Sequence, residues 1–327
     1  MGIAVENGRS SKNWETQLAY TYALSHLARL SQESALRIYK EFPSLESVQL
    51  FSRADYRHRL RGYVGEGLAR LVNVDWDSLL DSAHQEIRAL ADSQIRVICL
   101  GDPRYPPLLR LIPFPPMTLF VKGDQEILTN MLAVAVIGTR NCTRWGADVA
   151  FRTAQSLVAD GCLVVSGVER GIAAAAHQGT IEAGGKSVAI FGSPLHKIYP
   201  AENKELAFHI LDSGGAWISE LPLGAKCAFR RSRRIVVGLS VAILPIQTPV
   251  GGSTMQVAQL VESYARLLLC PEPAVEERES KASEGIIQLI NSHRAQVISQ
   301  SDGLNSMESM RKQAHNLLQG AAWNAAR

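Results

Sequence analysis

The sequence predicts an α/β protein: a doubly wound, mostly parallel sheet preceded by a helical domain. Two observations carry this. First, residues 134–137, 163–165 and 187–190 are short β-branched apolar runs, leading into Gly138, Gly167 and Gly192, and each of the first two runs is followed by a helical pattern. Such a βαβαβ rhythm implies parallel strands with helices on the sheet faces. Second, apolar residues recur at helix spacing through residues 14–91, as in Leu18, Tyr22, Leu24, Leu27 and Leu30, with no strand-like alternation between them.

Ligands of doubly wound sheets bind at the strand ends, in loops that open helices. Here these are the loop Gly138-Thr139-Arg140-Asn141 and the loop from Ser166 through Gly167, Arg170 and Gly171. Glycine lets backbone N–H groups approach an anion, and arginine binds phosphate with two parallel hydrogen bonds. A third glycine loop, Gly251-Gly252-Ser253-Thr254, opens a later helix. The pattern is that of a chain built to hold something phosphorylated.

Composition narrows the class. The 327 residues carry 34 Lys and Arg against 31 Asp and Glu, a net charge of +3, so any preference for nucleic acid must come from local clustering. The five cysteines are scattered without a CxxC pair, which speaks against a zinc site, and an odd count speaks against a disulfide framework. There is no signal-peptide pattern and no apolar run of membrane-spanning length. The reading is a cytoplasmic protein with no metal, cofactor or membrane association.

Taken in order, residues 1–13 are polar and read as disordered. Residues 14–91 form the helical domain, with Ser31 as an N-cap. Within it, residues 53–62 carry four arginines and a histidine, either a phosphate-contacting patch or a solvated helix face. Residues 95–101 read as a strand, and a proline-constrained connector leads to a second strand at 118–121. The sheet domain spans 92–305. Its later elements include a helix ending near Leu211, a strand at 216–219, a basic loop over 226–234, apolar strand or helix segments at 235–238 and 241–245, and a helix over 255–267. A further apolar strand or helix segment at 267–270, a helix at 284–292 and a short apolar run at 295–299 follow, and residues 306–327 read as a tail.

The ordered series of motifs resembles the DprA/Smf family of DNA-processing proteins. GDPRYPPLLRLIPFPPMTLFVKGD (101–124) is similar to the segment that precedes the family's sheet. VIGTRN resembles its first glycine–arginine loop, and SGVERGIAAAAHQGTIEAGG its second, usually written SG.A.GID..AH.GAL.AGG. IYPAENKEL, ISELP, FRRSRRIVVGLS, GGS and GIIQLINSHRAQVIS fall in family order, so the likeness covers roughly residues 95–305. The resemblance implies an extended Rossmann fold, binding of single-stranded DNA, a homodimer and assistance to a RecA-type recombinase. It implies that Arg140 and Lys204 contact DNA, with Arg170, Arg231, Arg233 and Arg234 extending the groove. There are departures. Ala173 stands where the family pattern has aspartate, and Phe229–Arg234 replaces its FP.RNR loop. Residues 306–327 are too short and too weakly patterned for the winged helix with which relatives often end.

Other readings of single residues compete. Arg234 is placed to pair with Glu220 instead of DNA, and His177 on a small-residue helix reads as a packed, hydrogen-bonded histidine. Cys142 beside the first glycine loop is a candidate reactive thiol, since a helix N-terminus lowers thiol pKa. The alternative class is a nucleotide-binding enzyme or sensor resembling phosphoribohydrolases, whose late PGG.GT loop is approximated by residues 249–254. Those enzymes carry a glutamate soon after the glycines; here the first acidic residue is Glu262. Cleavage of a glycosidic bond needs an anion near the developing positive charge, and no acid, base and nucleophile with matched spacing is visible, so no catalytic residue is assigned.

Overall fold

The computed structural model describes residues 3–28, 30–51, 74–298 and 303–325. It forms two compact units: Met1–Pro103 with Pro116–Phe120, and Arg104–Pro115 with Val121–Arg327.

The first unit is the helical one. Helix α1 (Ile3–Tyr22) runs on into a π turn, Ala23–Leu27, and is followed by α2 (Gln32–Glu41), α3 (Leu45–Phe51) and α4 (Trp76–Asp92). Ser31 caps α2 as expected, its Oγ accepting from the Ser34 N–H at 3.1 Å, and Asp75 caps α4 in the same way at 3.2 Å. Strand β1 (Arg96–Cys99) lies beside the start of β2 (Thr118–Gly123). Tyr20, Tyr22, Leu24 and Ile38 are buried here, and Tyr22 meets the Phe120 ring edge-on at 6.2 Å. Residues 3–13, read as disordered, instead form the first turns of α1. Once a helix is nucleated each further residue adds a hydrogen bond, and no proline interrupts this stretch. The basic stretch 53–62 lies outside the described residues.

The second unit holds the sheet. Its strands are the end of β2, then β3 (Ala133–Ile137), β4 (Leu163–Gly167), β5 (Ser187–Ile190), β6 (Ala216–Ser219), β7 (Ala242–Pro245), β8 (Leu267–Pro271) and β9 (Gln296–Ile298). They lie in the order β2-β6-β5-β4-β3-β7-β8-β9. Every pair from β6 to β9 is parallel. Strand β3 sits between β4 and β7, with Val134 opposite both Val164 and Ala242. The chain winds outward from β3 through β4, β5 and β6, then returns to the other side at β7. That reversal leaves a crevice beyond the carboxyl ends of β3 and β7. Strands covered on both faces read as continuous apolar runs, and β7 is buried throughout.

The crossovers are helices: α5 (Pro107–Arg110) before the sheet, then α6 (Arg144–Ala159), α7 (Ile172–Glu182), α8 (Lys204–Asp212), α9 (Phe229–Leu239), α10 (Ser253–Ser263), α11 (Glu284–Asn291) and α12 (Gly303–Ala325). Two depart from expectation. The segment read as a basic loop followed by a strand or helix is the single helix α9. Its Phe229, Ser232, Ile235, Val236 and Leu239 recur at helical spacing, and this amphipathic order outweighs the β-branched run. The tail is α12, and its Met307, Met310 and Ala314 are buried against Val134, Val136, Leu157 and Leu244. Met307 Sδ lies 3.6 Å from Cys162 Sγ. These positions follow the i, i+3, i+7 spacing of one helix face, diluted by the Gln and Asn of the opposite face.

The domain boundary also shifts. Residues 92–103 and 116–120 belong to the helical unit, while the proline-rich 104–115 belongs to the sheet unit. There Arg266, 6% exposed, donates to the Leu108 carbonyl at 2.8 Å and to the carbonyls of Val237 and Gly238 at 3.4 and 3.3 Å. Burial pushes its pKa down to about 10, which leaves it a cation at neutral pH.

If α12 completes the core, Met310→Ala should lower the unfolding free energy by about 3 kcal/mol, the scale for emptying a buried methionine site. Urea denaturation checks this, and a loss of only a few tenths would show the helix to be peripheral.

Candidate functional site

A cavity of about 410 Å³ opens at the carboxyl ends of the strands. Three loops build it, and their packing explains their glycines. Gly171, at φ +73°, faces the backbone of the first loop; a β-carbon there would stand 2.5 Å from the Thr139 carbonyl oxygen and 2.6 Å from that of Arg140. A β-carbon at Gly138 would press into Ile172 and come 2.8 Å from the Gln247 carbonyl oxygen. The loops after β3 and β4 therefore meet backbone to backbone. Glycine is required here by close backbone approach, whatever the loops hold.

Gln247, fully buried two residues beyond β7, holds the first loop from beneath. Its carbonyl accepts from the Thr139 N–H at 2.8 Å, and its side-chain oxygen accepts from the Thr143 N–H at 3.0 Å. Its amide nitrogen lies 3.0 Å from each of Thr143 Oγ1, Glu277 Oε2 and Ser283 Oγ. Thr143 in turn caps α6 through the Gly146 N–H at 3.2 Å. His177 holds the second loop. Its Nε2 lies 2.9 Å from the Gly167 carbonyl oxygen, to which it donates, so Nδ1 accepts from the Ser187 hydroxyl at 2.8 Å. This is the packed histidine expected of that helix. Asn203 donates to the Val168 carbonyl at 2.7 Å and so ties the second loop to the start of α8, where Lys204 is exposed.

The cations divide into two sets. Arg140 and Arg233 line the cavity. Arg140 is exposed and has no hydrogen bond or ion pair among the described residues. Arg233, half-buried, donates to Gln256 Oε1. Burial lowers the Arg233 pKa first, the neighbouring charges of Arg230 and Arg140 lower it further, and Glu169 opposes them. Like charges pressed together in this way are relieved by an anion. The second set is already engaged. Arg170 pairs with Glu202 at 2.9 Å, and Arg231 and Arg234 both turn to Glu220, itself 3% exposed. Arg234 thus takes the ion-pair alternative, because a buried carboxylate needs a partner. Of the other expected contacts, Gly138, Asn141, Gly167, Gly252 and Ser253 line the cavity, whereas Gly171, Lys204, Arg170, Arg231 and Arg234 do not.

Two further residues matter that the sequence reading did not single out. Glu169 lines the cavity from within the second loop, and Phe229 closes one side while its ring lies 5.4 Å from the exposed Tyr199. The acidic residue inside a glycine–arginine loop was the available signal for Glu169. Cys142 is no activated thiol: burial raises its pKa. Glu262 pairs with Arg294 at 2.8 Å and does not line the cavity. Among the described residues, no group of His, Cys, Asp and Glu is arranged to hold a metal ion.

The fold and this cavity define a class: a Rossmann-like protein presenting glycine loops and free cations at a switch point of its sheet. Residues 96–308 match the family model of DNA recombination-mediator protein A, and the chain belongs to that family. It is 32% identical over 214 residues to protein Smf of Synechocystis, covering 63% of this chain and 52% of that protein. It is 30% identical over 189 residues to the DNA processing protein DprA of Bacillus subtilis, covering 57% of this chain and 63% of that one. The chain thus spans between half and two thirds of these relatives. Among solved structures, DNA processing protein A of Streptococcus pneumoniae superimposes with a TM-score of 0.66 at 22% identity, covering 88% of this chain and 97% of that one. The DNA processing protein A of Helicobacter pylori, solved for its single-stranded DNA binding mode, gives 0.58 at 24% identity, with coverages of 67% and 98%.

His177 makes the site's framework sensitive to pH. Burial lowers its pKa to about 4 from the usual 6.5. The unfolded chain therefore takes up the proton first, and stability present above pH 6.5 is lost as pH falls towards 4. Between pH 7 and pH 5 the unfolding free energy should fall by about 2 kcal/mol from this group. Urea titrations of wild type and His177→Asn check it, the variant losing that part of the slope. An identical slope in both would remove His177 from the account.

Proposed function

We propose that the chain holds single-stranded DNA at this cavity and acts in DNA uptake and recombination, presenting the strand to a RecA-type recombinase without chemistry of its own. The observation that carries the reading is the pairing of Arg140 and Arg233 over glycine loops at the strand ends. Single strands are bound by a positive track with aromatic surfaces beside it, and Tyr199 on Phe229 supplies such a surface at the cavity's edge. Membership of the recombination-mediator family and the single-strand binding of the H. pylori relative support the same reading. The proposed location is the cytoplasm, and no described helix is long and apolar enough to cross a membrane.

Fluorescence anisotropy with labelled single-stranded and duplex oligonucleotides tests this. The single strand should bind more tightly, and affinity should fall steeply with salt as counterions are released. Arg140→Ala and Arg233→Ala should each cost about 1–3 kcal/mol, the scale of a lost charged hydrogen bond. The same scale applies to Lys204→Ala if the strand runs on across α8. Equal affinity of wild type and the Arg140/Arg233 double variant would end the proposal.

The homodimer belongs to the same proposal. In α11, Ile286 and Leu289 are buried, while Ile287 and Ile290 are only half-buried. Beside it β9 ends the sheet with Val297 37% exposed. A second copy covering this edge would double the DNA track and add avidity. Ile287→Glu with Ile290→Glu should give a folded monomer by light scattering, with weaker binding to long oligonucleotides. Wild-type protein that is monomeric at tens of micromolar would refute the dimer.

A further inference from the structure

Glu169 is a costly residue in a site that binds phosphate. It places a carboxylate in the same cavity as Arg140 and Arg233, where it repels the DNA backbone it is meant to admit. The positive charge of Arg233 lies near it, but no hydrogen bond or ion pair fixes Glu169 among the described residues. Its position is nonetheless defined: Oε2 lies only 1.8 Å from where a β-carbon on Gly167 would stand, so the bare backbone of Gly167 gives it room.

The remaining walls say what the carboxylate faces. Ile137, Ile190, Val236 and Phe229 give the cavity an apolar lining next to the two arginines. Such a chamber suits a planar base whose phosphate stays with the cations, because unstacked bases are read on their Watson–Crick edges and stacked on aromatic rings. A carboxylate has only acceptors to offer, so it selects by donors. Thymine presents one N–H between two carbonyl oxygens, which repel it. Adenine and cytosine each present one amino group beside a ring nitrogen that is itself an acceptor. Guanine alone presents N1–H and the 2-amino group side by side, matching both oxygens of one carboxylate.

Resting on the reading of this cavity as the strand-binding site, we propose that Glu169 is a specificity-determining residue that seats a guanine base in the cavity. The chain would therefore bind single strands anywhere but hold most firmly where a guanine can enter.

The test compares a homothymidine oligonucleotide with the same strand carrying one central deoxyguanosine or one deoxyadenosine, using wild type and Glu169→Gln. The guanine strand should bind wild type at least about fivefold more tightly than the other two, the lower end for one good bidentate base contact. In Glu169→Gln that ratio should fall to about one. Equal binding of all three strands by wild type, or a guanine preference that survives the substitution, would overturn the assignment and leave single-strand binding intact. Calorimetry with dGMP and dTMP separates the two ideas further. If no oligonucleotide binds but dGMP binds in preference to dTMP and loses that preference in Glu169→Gln, the base assignment stands and the single-strand reading falls. If neither nucleotides nor oligonucleotides bind, both fall.

Discussion

The buried side chain of Gln247 is the interaction on which the site depends. It sits at the reversal of the sheet and joins parts of the chain that no single element connects: the first glycine loop, the cap of α6, and the segment before α11 through Glu277 and Ser283. A buried amide in a dry environment is stabilising only when its donors and acceptors are met. Each partner is therefore held as firmly as the amide is. The constraint passes onward through contact. With the Thr139 and Arg140 backbone fixed, Gly171 can pack on it, and the second loop inherits the position of the first. Under the proposed function, loops held in this way would let an exposed arginine meet an anion at little ordering cost.

Electrostatic selection then separates six similar-looking cations. Nearby carboxylates claim some of them, one buried and one exposed. Glu220 takes Arg234 and Arg231, and Glu202 takes Arg170. What remains for a ligand is Arg140 and Arg233, with Lys204 outside the lining. A basic run in a sequence is a supply of charge, and the folded acids decide how much is spare.

Much of this was legible in the sequence. The central strands β3, β4 and β5 announced themselves because strands covered on both faces must be apolar throughout, and the glycine after each marks the turn into a loop. Their crossover helices and the position of the glycine loops at the strand ends followed. The failures share a cause: they lie where long-range packing decides. Helix α9 was obscured because Ile235, Val236 and Val237 are β-branched, and only its burial shows that the basic face and the apolar face belong to one helix. Helix α12 was invisible because its buried side is two methionines and an alanine among polar residues. The pairing of Arg234 was a stated alternative that composition alone had no means to decide. Glu169 and Gln247 were missed because single polar residues carry no periodicity, and their importance comes from what the fold places around them.

The contact between Cys162 and Met307 joins residues 145 positions apart, and it bears on how the protein is made. Helices α6 and α7 line much of the apolar face of β3 and β4, but the part met by Met307, Met310 and Ala314 is closed only when α12 docks. Until then that strip is exposed apolar surface, in a parallel sheet whose non-local contacts are slow to form. The sheet unit must then wait, partly folded, for this helix. Shelter for that strip during synthesis then bears on yield independently of the stability of the finished molecule.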